Sequence, residues 1–126
     1  MITDAMKAGV LTMRPFLPAR DYALSQAFYR ALGFEMAPLS PTLSVMRLGA
    51  NEFLLQEFYV KDFAENLAMH MLVDDLDAWW RHIESLDLAQ RFGVQAPRAP
   101  KLEPWGLRVA YVFDPAGVLW HFAART

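Results

Sequence analysis

The first half of the chain carries apolar residues at helical spacing between two capping signals. An aspartate suited to an N-cap, Asp21, precedes this stretch, and a glycine suited to the C′ position, Gly33, follows it. The pattern therefore predicts an amphipathic helix between these two residues. Its apolar positions are Leu24, Ala27, Phe28 and Ala31.

Short apolar segments on both sides of this helix predict strands. Pro15 and Pro18 fall in or after the first of them and lack an N–H donor, which indicates an edge strand or an early exit from pairing. A polar connector is predicted over Lys61–Leu67, with a helical turn as one alternative. The predicted strands are Val10–Leu17, Phe34–Leu39, Leu43–Leu48 and Glu52–Tyr59, with a hairpin turn at Gly49–Asn51.

The second half repeats this order of elements. Asp74 and Asp75 offer an N-cap to a second helical stripe, formed by Leu76, Trp79, Trp80 and Ile83. A proline-bearing loop is predicted over Pro97–Trp105. The predicted strands of this half are Ala68–Val73, Leu88–Val94, Leu107–Phe113 and the closing strand Val118–Ala123.

The repeated order predicts an internal duplication. The aspartate caps Asp21 and Asp75 are 54 residues apart. We therefore expect an α+β fold with two tandem βαβββ modules, about 10–60 and 67–124, in a single domain spanning 1–126. One module with one helix leaves a sheet face bare, so the two modules should form a curved mixed sheet around a concave pocket, with helices outside. Concave apolar surfaces are where small-molecule sites form.

Composition narrows the class of protein. Hydrophobic residues make up 55% of the chain, which is typical of a packed globule. The net charge of −2 gives no reason to expect nucleic acid or an anionic membrane as a partner. The absence of cysteine excludes disulfides, thiolate zinc sites and cysteine catalysis. With no apolar run of membrane-spanning length and no signal-peptide pattern, we expect a cytoplasmic protein.

The closing strand carries the clearest candidate for chemistry. Asp114-Pro115-Ala116-Gly117 is a tight-turn signal in which glycine supplies the positive φ. In the strand that follows, His121 is the one titratable side chain within Val118–Ala123. It is a candidate ligand, base or packing residue.

Several segments together resemble the vicinal oxygen chelate superfamily, which includes glyoxalase I, extradiol dioxygenases and bleomycin-resistance proteins. The segments are Asp21–Phe34, Leu72–Trp79, Pro104–Gly106 and Asp114–Phe122. The resemblance covers nearly the whole chain and implies paired βαβββ modules, usually assembled as a homodimer with sites near the subunit interface. It does not settle the activity, because the superfamily hosts unrelated chemistries.

Enzymes of the resembled superfamily hold a divalent metal with side chains from four strands. The resemblance places these positions at Arg14, near Gln56, at Ala68 and at His121. An arginine repels a metal and an alanine has no donor atom, so the four-ligand site is not reproduced. His70, two residues after Ala68 and on the same face, leaves open a shifted site that uses His70, His121 and Gln56.

The resemblance is nearest to the bleomycin-resistance-like branch and implies a metal-independent protein, without a cofactor, that sequesters a small aromatic or amphipathic ligand in an apolar cavity. The expected ligand-binding residues are Arg14, Phe16, Gln56, Phe58, His70, Trp105, Arg108 and His121. One alternative is a metal-dependent lyase, isomerase or dioxygenase with the shifted ligand set. Another is a protein-association role with a self-filled cavity. Individually, His70 could be a core histidine, and Arg14 could pair with a carboxylate such as Glu57.

Overall fold

The computed structural model describes residues 1–126 and contains five helices and eight strands. The helices are α1 (Asp4–Ala8), α2 (Tyr22–Leu32), α3 (Lys61–Glu65), α4 (Leu76–Ser85) and α5 (Leu88–Phe92). The strands are β1 (Phe16–Ala19), β2 (Glu35–Ser40), β3 (Leu43–Leu48), β4 (Asn51–Glu57), β5 (Ala68–Leu72), β6 (Arg98–Leu102), β7 (Leu107–Phe113) and β8 (Leu119–Arg125).

The strands form two four-stranded mixed sheets of the same design. The first sheet has the order β1-β4-β3-β2, and the second has the order β5-β8-β7-β6. In each sheet the strand before the long helix pairs in parallel with the last strand of its module, and all other pairs are antiparallel. The predicted α+β fold with two tandem modules is confirmed, with the strands divided between two sheets.

The long helices begin where the sequence predicts. The Asp21 carboxylate accepts a hydrogen bond from Leu24 N at 3.1 Å, and the Asp75 carboxylate accepts one from Ala78 N at 3.0 Å. Gly33 ends α2 with φ of +127°, a conformation that side chains with a Cβ resist. The polar connector forms the short helix α3.

The prediction of a first strand over Val10–Leu17 is wrong in its bounds. Pairing with β4 starts only at the Pro15 carbonyl, which accepts a hydrogen bond from Leu54 N, and the strand β1 runs on through Pro18 to Ala19. Pro15 has no N–H to extend the ladder toward the N-terminus. Residues 10–15 belong to no helix or strand, and the short helix α1, whose first turn is capped by the Thr3 hydroxyl, lies before them.

Two predictions between α4 and β7 are also wrong. The segment Leu88–Val94, predicted as a strand, forms helix α5, because Phe92 packs edge-on against Phe28 of α2 at 5.5 Å. The predicted loop Pro97–Trp105 contains strand β6 at the sheet edge. Its pairing register shifts between Arg98 and Lys101, around a proline that cannot donate to the ladder, which hides the strand pattern in the sequence.

The two modules share one aromatic core. Tyr29, Phe34 and Phe53 from the first module surround Trp120 from the second, with ring centroids 5.6–5.7 Å from the tryptophan. The Tyr29 and Phe34 rings pack edge-on against Trp120 and the Phe53 ring is tilted to it, and such contacts add to the free energy gained by burying the rings. The core cluster extends from α2 and the first sheet to α4, α5 and the second sheet.

A buried polar cluster joins the modules beside this core. The Tyr29 hydroxyl donates to Asp114 Oδ2 at 2.5 Å and accepts from Trp120 Nε1 at 2.9 Å. Asp114 Oδ1 accepts from the backbone N–H groups of Ala116 and Val118, each at 2.8 Å. The predicted Asp-Pro-Ala-Gly turn is confirmed, with Gly117 at φ +97°. This cluster, Tyr29–Asp114–Trp120, is called the junction cluster below.

Each sheet has one face that packs under helices and one that does not. In the second sheet, Trp120 and Phe122 belong to the shared core, so Leu119, His121 and Ala123 lie on the opposite face. We call this the open face of the sheet. Among the helices, none has the length and apolar content needed to cross a membrane.

Candidate functional site

A row of three polar rings crosses the open face of the second sheet. Strand register pairs His70 of β5 with His121 of β8, and His121 with Tyr111 of β7. Paired residues of neighbouring strands project from the same face. The His121 ring packs edge-on against Tyr111 at 5.0 Å and against His70 at 5.4 Å. The row is built by strand register alone.

Trp105 lies over this row. It belongs to the turn between β6 and β7, where Gly106 N donates to the Glu103 carbonyl and Gly106 has a φ of +93°. The Trp105 ring lies 5.9 Å from the His121 ring and 6.2 Å from the His70 ring, yet the residue remains 51% exposed. A large ring held against polar rings, but left half in solvent, is available for contact with a ligand.

The two histidines contact each other directly. His70 Nδ1 and His121 Nδ1 are 3.2 Å apart, a hydrogen-bonding distance at which one nitrogen donates and the other accepts. His70 is exposed and His121 is half-buried. This placement differs from a histidine buried in the core, which was one reading of His70 from the sequence. The pair presents imidazole nitrogen atoms at the protein surface.

Burial and nearby charges shift the pKa values of His121 and Tyr111. Burial lowers the pKa of His121, the nearby His70 lowers it further, and the Glu103 carboxylate opposes this shift. Burial raises the pKa of Tyr111, and Glu103 adds to that effect. Glu103 is thus electrostatically coupled to both rings. Its side chain is 12% exposed, and its Oε1 atom is buried without a hydrogen-bond partner; Lys101 Nζ is 3.6 Å away.

Two grooves flank the ring row. One, of about 370 Å³, lies between the modules and is lined by Glu52 and Phe53 of the first sheet and by His70 and Leu72 of the second. The other, of about 490 Å³, lies at the opposite end of the row and is lined by Glu103, Tyr111 and Leu119, among others. The row from His70 to Tyr111 therefore connects two concave surfaces.

The expected site residues of the first module lie on or beside the first sheet. Arg14, which is 31% exposed, pairs with Glu52 at 3.5 Å rather than with Glu57, and Arg47 pairs with the same carboxylate at 2.6 Å. Phe16 and Gln56 share the open face of that sheet with Leu54, according to the strand register. Phe58, just beyond β4, is half exposed. None of these residues hydrogen bonds to or stacks on the histidine pair.

Arg108 lies on the other face of the second sheet. It alternates with Val109 along β7 and pairs with Asp77 of α4, with a nitrogen–oxygen distance of 3.2 Å. Strand alternation points its side chain toward the helices. The structure therefore brings His70, Trp105 and His121 together and separates Arg108 from them.

Sequence reasoning missed Tyr111 and Glu103. Counting back from the Asp-Pro-Ala-Gly turn through the final hairpin pairs Tyr111 with His121, so the signal for Tyr111 was present. Glu103 comes to the open face because β6 and the turn after it pack beside β7, with Glu103 N donating to the Leu107 carbonyl. No sequence signal identifies Glu103, since the edge strand that places it was not predicted.

Two of the four metal positions implied by the resemblance, Arg14 and Ala68, lack a metal-binding side chain. The Arg14 guanidinium pairs with Glu52, Ala68 has no donor atom, and Gln56 lies in the other sheet from His121. No group of three His, Cys, Asp or Glu side chains is arranged to hold a metal ion. The donor set of the enzymes is therefore not reproduced.

The fold and sequence both define a protein of one superfamily. The sequence model of the Glyoxalase/Bleomycin resistance protein/Dioxygenase superfamily matches residues 11–122. The bleomycin resistance protein of Klebsiella pneumoniae is 30% identical over 110 residues, covering 83% of this chain and 85% of that protein. The chain belongs to this superfamily.

Solved structures are similar over the full fold. A bleomycin-binding protein in complex with bleomycin has a TM-score of 0.78 and 24% identity, covering 91% of this chain and 98% of that chain. The bleomycin-binding protein of the bleomycin producer Streptomyces verticillus, in complex with copper(II)-bleomycin, has a TM-score of 0.71 and 27% identity, covering 92% and 97%.

Proposed function

We propose that the chain binds a small aromatic or amphipathic molecule of the bleomycin class on the open face of the second sheet, and that it sequesters this molecule without transforming it. The single observation that carries the proposal is Trp105, half exposed and held against His70 and His121. A flat ligand could pack on this indole while the histidines and Tyr111 fix its orientation by hydrogen bonds.

The relatives support this choice of ligand. The curated relative is a bleomycin resistance protein, and the Streptomyces verticillus structure holds copper(II)-bleomycin. The two grooves at the ends of the ring row give an extended molecule room on both sides. Apolar burial would supply most of the affinity, at about 25 cal/mol per Å² before ordering costs.

Binding is proposed to need no metal held by the protein. The chemistry of the donor set supports this, because an arginine and an alanine stand at two of the four positions implied by the superfamily enzymes. A lyase, isomerase or dioxygenase needs the metal to polarise an oxygen or to activate dioxygen. Sequestration needs only a complementary surface.

Calorimetric titration with metal-free bleomycin, in the presence of excess EDTA, tests the proposal. We expect saturable binding by the wild type and at least tenfold weaker binding by Trp105→Ala. Ligand at 100 times its dissociation constant should stabilise the fold by about 2.7 kcal/mol. Phe63→Ala, which removes a similarly exposed ring from α3, is the matched control and should bind as the wild type does. Equal affinity of Trp105→Ala and wild type would overturn the assignment.

We also propose that the chain forms a homodimer through its N-terminal arm, Met1–Met13. Helix α1 buries none of its residues, and apolar side chains along the arm, including Val10, Leu11 and Met13, are exposed. A second copy would cover them, since large exposed apolar patches mark interaction sites. Sedimentation equilibrium should give a dimer, and a Leu11→Asp/Met13→Asp variant should be monomeric. A monomeric wild type would contradict this proposal.

A further inference from the structure

The edge strand β5 of the second sheet leaves a row of backbone groups free. It lies at the end of the sheet order and pairs only with β8. In a parallel pair, alternate residues direct both their N–H and C=O groups toward the partner strand. The Leu67 carbonyl and the Val73 N–H bond to β8, so the residues in step with them also face β8. The N–H and C=O groups of Ala68, His70 and Leu72 therefore point away from the sheet.

These free backbone groups face the groove between the modules. The groove, of about 370 Å³, is lined by four consecutive residues of β5, Met69–Leu72. Consecutive side chains of a strand point to opposite faces, so a groove that contacts all four runs along the edge of the strand. The opposite wall comes from the β3–β4 hairpin, through Leu48, Glu52 and Phe53. The groove therefore joins an apolar lining to a row of unpaired amide groups.

The equivalent edge strand of the first module carries a proline. Strand β1 pairs in parallel with β4, and the Pro15 carbonyl bonds to Leu54 N, so Phe16 and Pro18 face away from the sheet. Pro18 has no N–H to donate, and proline on an edge strand prevents further pairing. Strand β5 has no proline within Ala68–Leu72. Of these two strands, only β5 therefore has an edge that can pair with another extended chain.

We propose that β5 binds an extended, amide-bearing segment of the ligand by strand addition, with hydrogen bonds to the N–H and C=O groups of His70 and Leu72. This inference rests on the proposed function and specifies the class of ligand, a molecule with a peptide-like chain next to its aromatic part. The outward groups recur about every 6.6 Å, which is the spacing of every second residue in an extended peptide. His70 belongs both to this edge and to the ring row, so a ligand packed on Trp105 has its adjoining chain beside the groove.

Amide hydrogen exchange of the wild-type protein, with and without metal-free bleomycin, a glycopeptide, tests this inference. The N–H groups of His70 and Leu72 have no acceptor within the protein, so they should exchange rapidly in the free state. On saturation with bleomycin, exchange at both positions should slow at least tenfold. The Phe16 N–H, on the equivalent edge of the first sheet, is the internal control and should exchange at an unchanged rate.

Two substitutions at Leu72 isolate the contribution of the backbone. Leu72→Ala removes the side chain and keeps the N–H, whereas Leu72→Pro removes the N–H as well. The fold should tolerate proline here because the Leu72 N–H does not bond to β8, and urea unfolding checks that both variants are folded. Calorimetry should show that Leu72→Pro binds metal-free bleomycin at least tenfold more weakly than Leu72→Ala does.

Three results would overturn the inference, and each has a different meaning. Saturable binding with fast exchange at His70 and Leu72, and with equal affinity of the two Leu72 variants, would leave the proposed function standing without strand addition. Slow exchange at both positions in the absence of ligand would mean that a second copy of the chain already pairs with β5. A wild type that does not bind bleomycin would remove the proposed function and this inference together.

Discussion

The junction cluster and the ring row, with Trp105 over it, contain similar residues but differ in exposure. Each places a tryptophan and a tyrosine beside titratable side chains. In the junction cluster every polar group has a partner, and Trp120 is 3% exposed. Beside the ring row, Trp105 is 51% exposed, and the buried Oε1 atom of Glu103 has no hydrogen-bond partner and lies 3.6 Å from Lys101 Nζ.

The difference separates a structural role from a binding role. Buried polar groups whose hydrogen bonds are all made within the protein hold the modules together, and they have nothing left to offer a ligand. Rings that are fixed in place but partly exposed retain surface and hydrogen-bonding capacity for another molecule. Substitutions in the junction cluster should therefore change stability, and substitutions in the ring row should change binding.

The largest effect on stability is expected from Asp114→Ala. The substitution leaves the Tyr29 hydroxyl and the N–H groups of Ala116 and Val118 without their acceptor inside the core. We expect a loss of about 3 kcal/mol in the free energy of unfolding, measured in urea. Asp77→Ala, which removes an exposed ion pair with Arg108, should cost less than about 1 kcal/mol. Equal losses in the two variants would contradict a stabilising role for the junction cluster.

Tyr29→Phe should have a smaller effect. It removes one hydroxyl, and with it the donor to Asp114 and the acceptor of Trp120 Nε1, while the ring keeps its packing in the core. We expect a loss of about 1–2 kcal/mol in the same urea experiment. Tyr22→Phe is a suitable control, since that hydroxyl bonds to Ser44 in a less buried position.

The contribution of Asp114 to stability should fall as the pH rises from about 4 to about 6. Burial raises the pKa of Asp114 to about 6, against the hydrogen bonds that lower it. In the unfolded chain this carboxyl loses its proton near pH 4, so the folded state binds more protons between these values, and raising the pH favours unfolding. The contribution should be on the order of 1–3 kcal/mol. Urea unfolding at several pH values should show this slope in the wild type and a flatter one in Asp114→Asn.

Trp105→Ala should have the smallest effect on stability and a large one on binding. The ring is half exposed and lies in a turn, so its loss should change the free energy of unfolding by less than about 1 kcal/mol. Binding of metal-free bleomycin should weaken at least tenfold. Urea unfolding and calorimetry on the same preparation separate the two quantities, and a large loss of stability would assign Trp105 to the core.

Most of the fold could be predicted from the hydrophobic periodicity and from the helix-capping and turn signals in the sequence. The helix caps Asp21 and Asp75, and the turn ending at Gly117, are local signals that depend on a few neighbouring residues. The bounds of β1 depend on its pairing with β4. Whether Leu88–Phe92 forms a helix or a strand depends on the packing of Phe92 on Phe28. A local sequence pattern contains neither of these tertiary contacts.

The candidate site was predictable where it follows strand alternation. His70 and His121 share a face because of their positions in β5 and β8, and Trp105 comes to them in the turn before β7. Arg108 was grouped with them by proximity in sequence, but it lies on the helix-covered face, where it pairs with Asp77. The position of Glu103 depends on an edge strand whose pattern is interrupted by a proline, so no sequence pattern identified this residue.

The central claim is that ligands bind to the ring row and that the junction cluster is structural. Proton–nitrogen correlation NMR of the protein with and without metal-free bleomycin tests it directly, because the four tryptophans give separate indole N–H signals. We expect the largest shifts on saturation at the Trp105 indole and at the backbone signals of Tyr111 and His121. The Trp120 indole lines the groove between the modules, but its N–H group is held by Tyr29, so it should shift less. Shifts centred on Trp120, or on the helix tryptophans Trp79 and Trp80, with Trp105 unmoved, would contradict it.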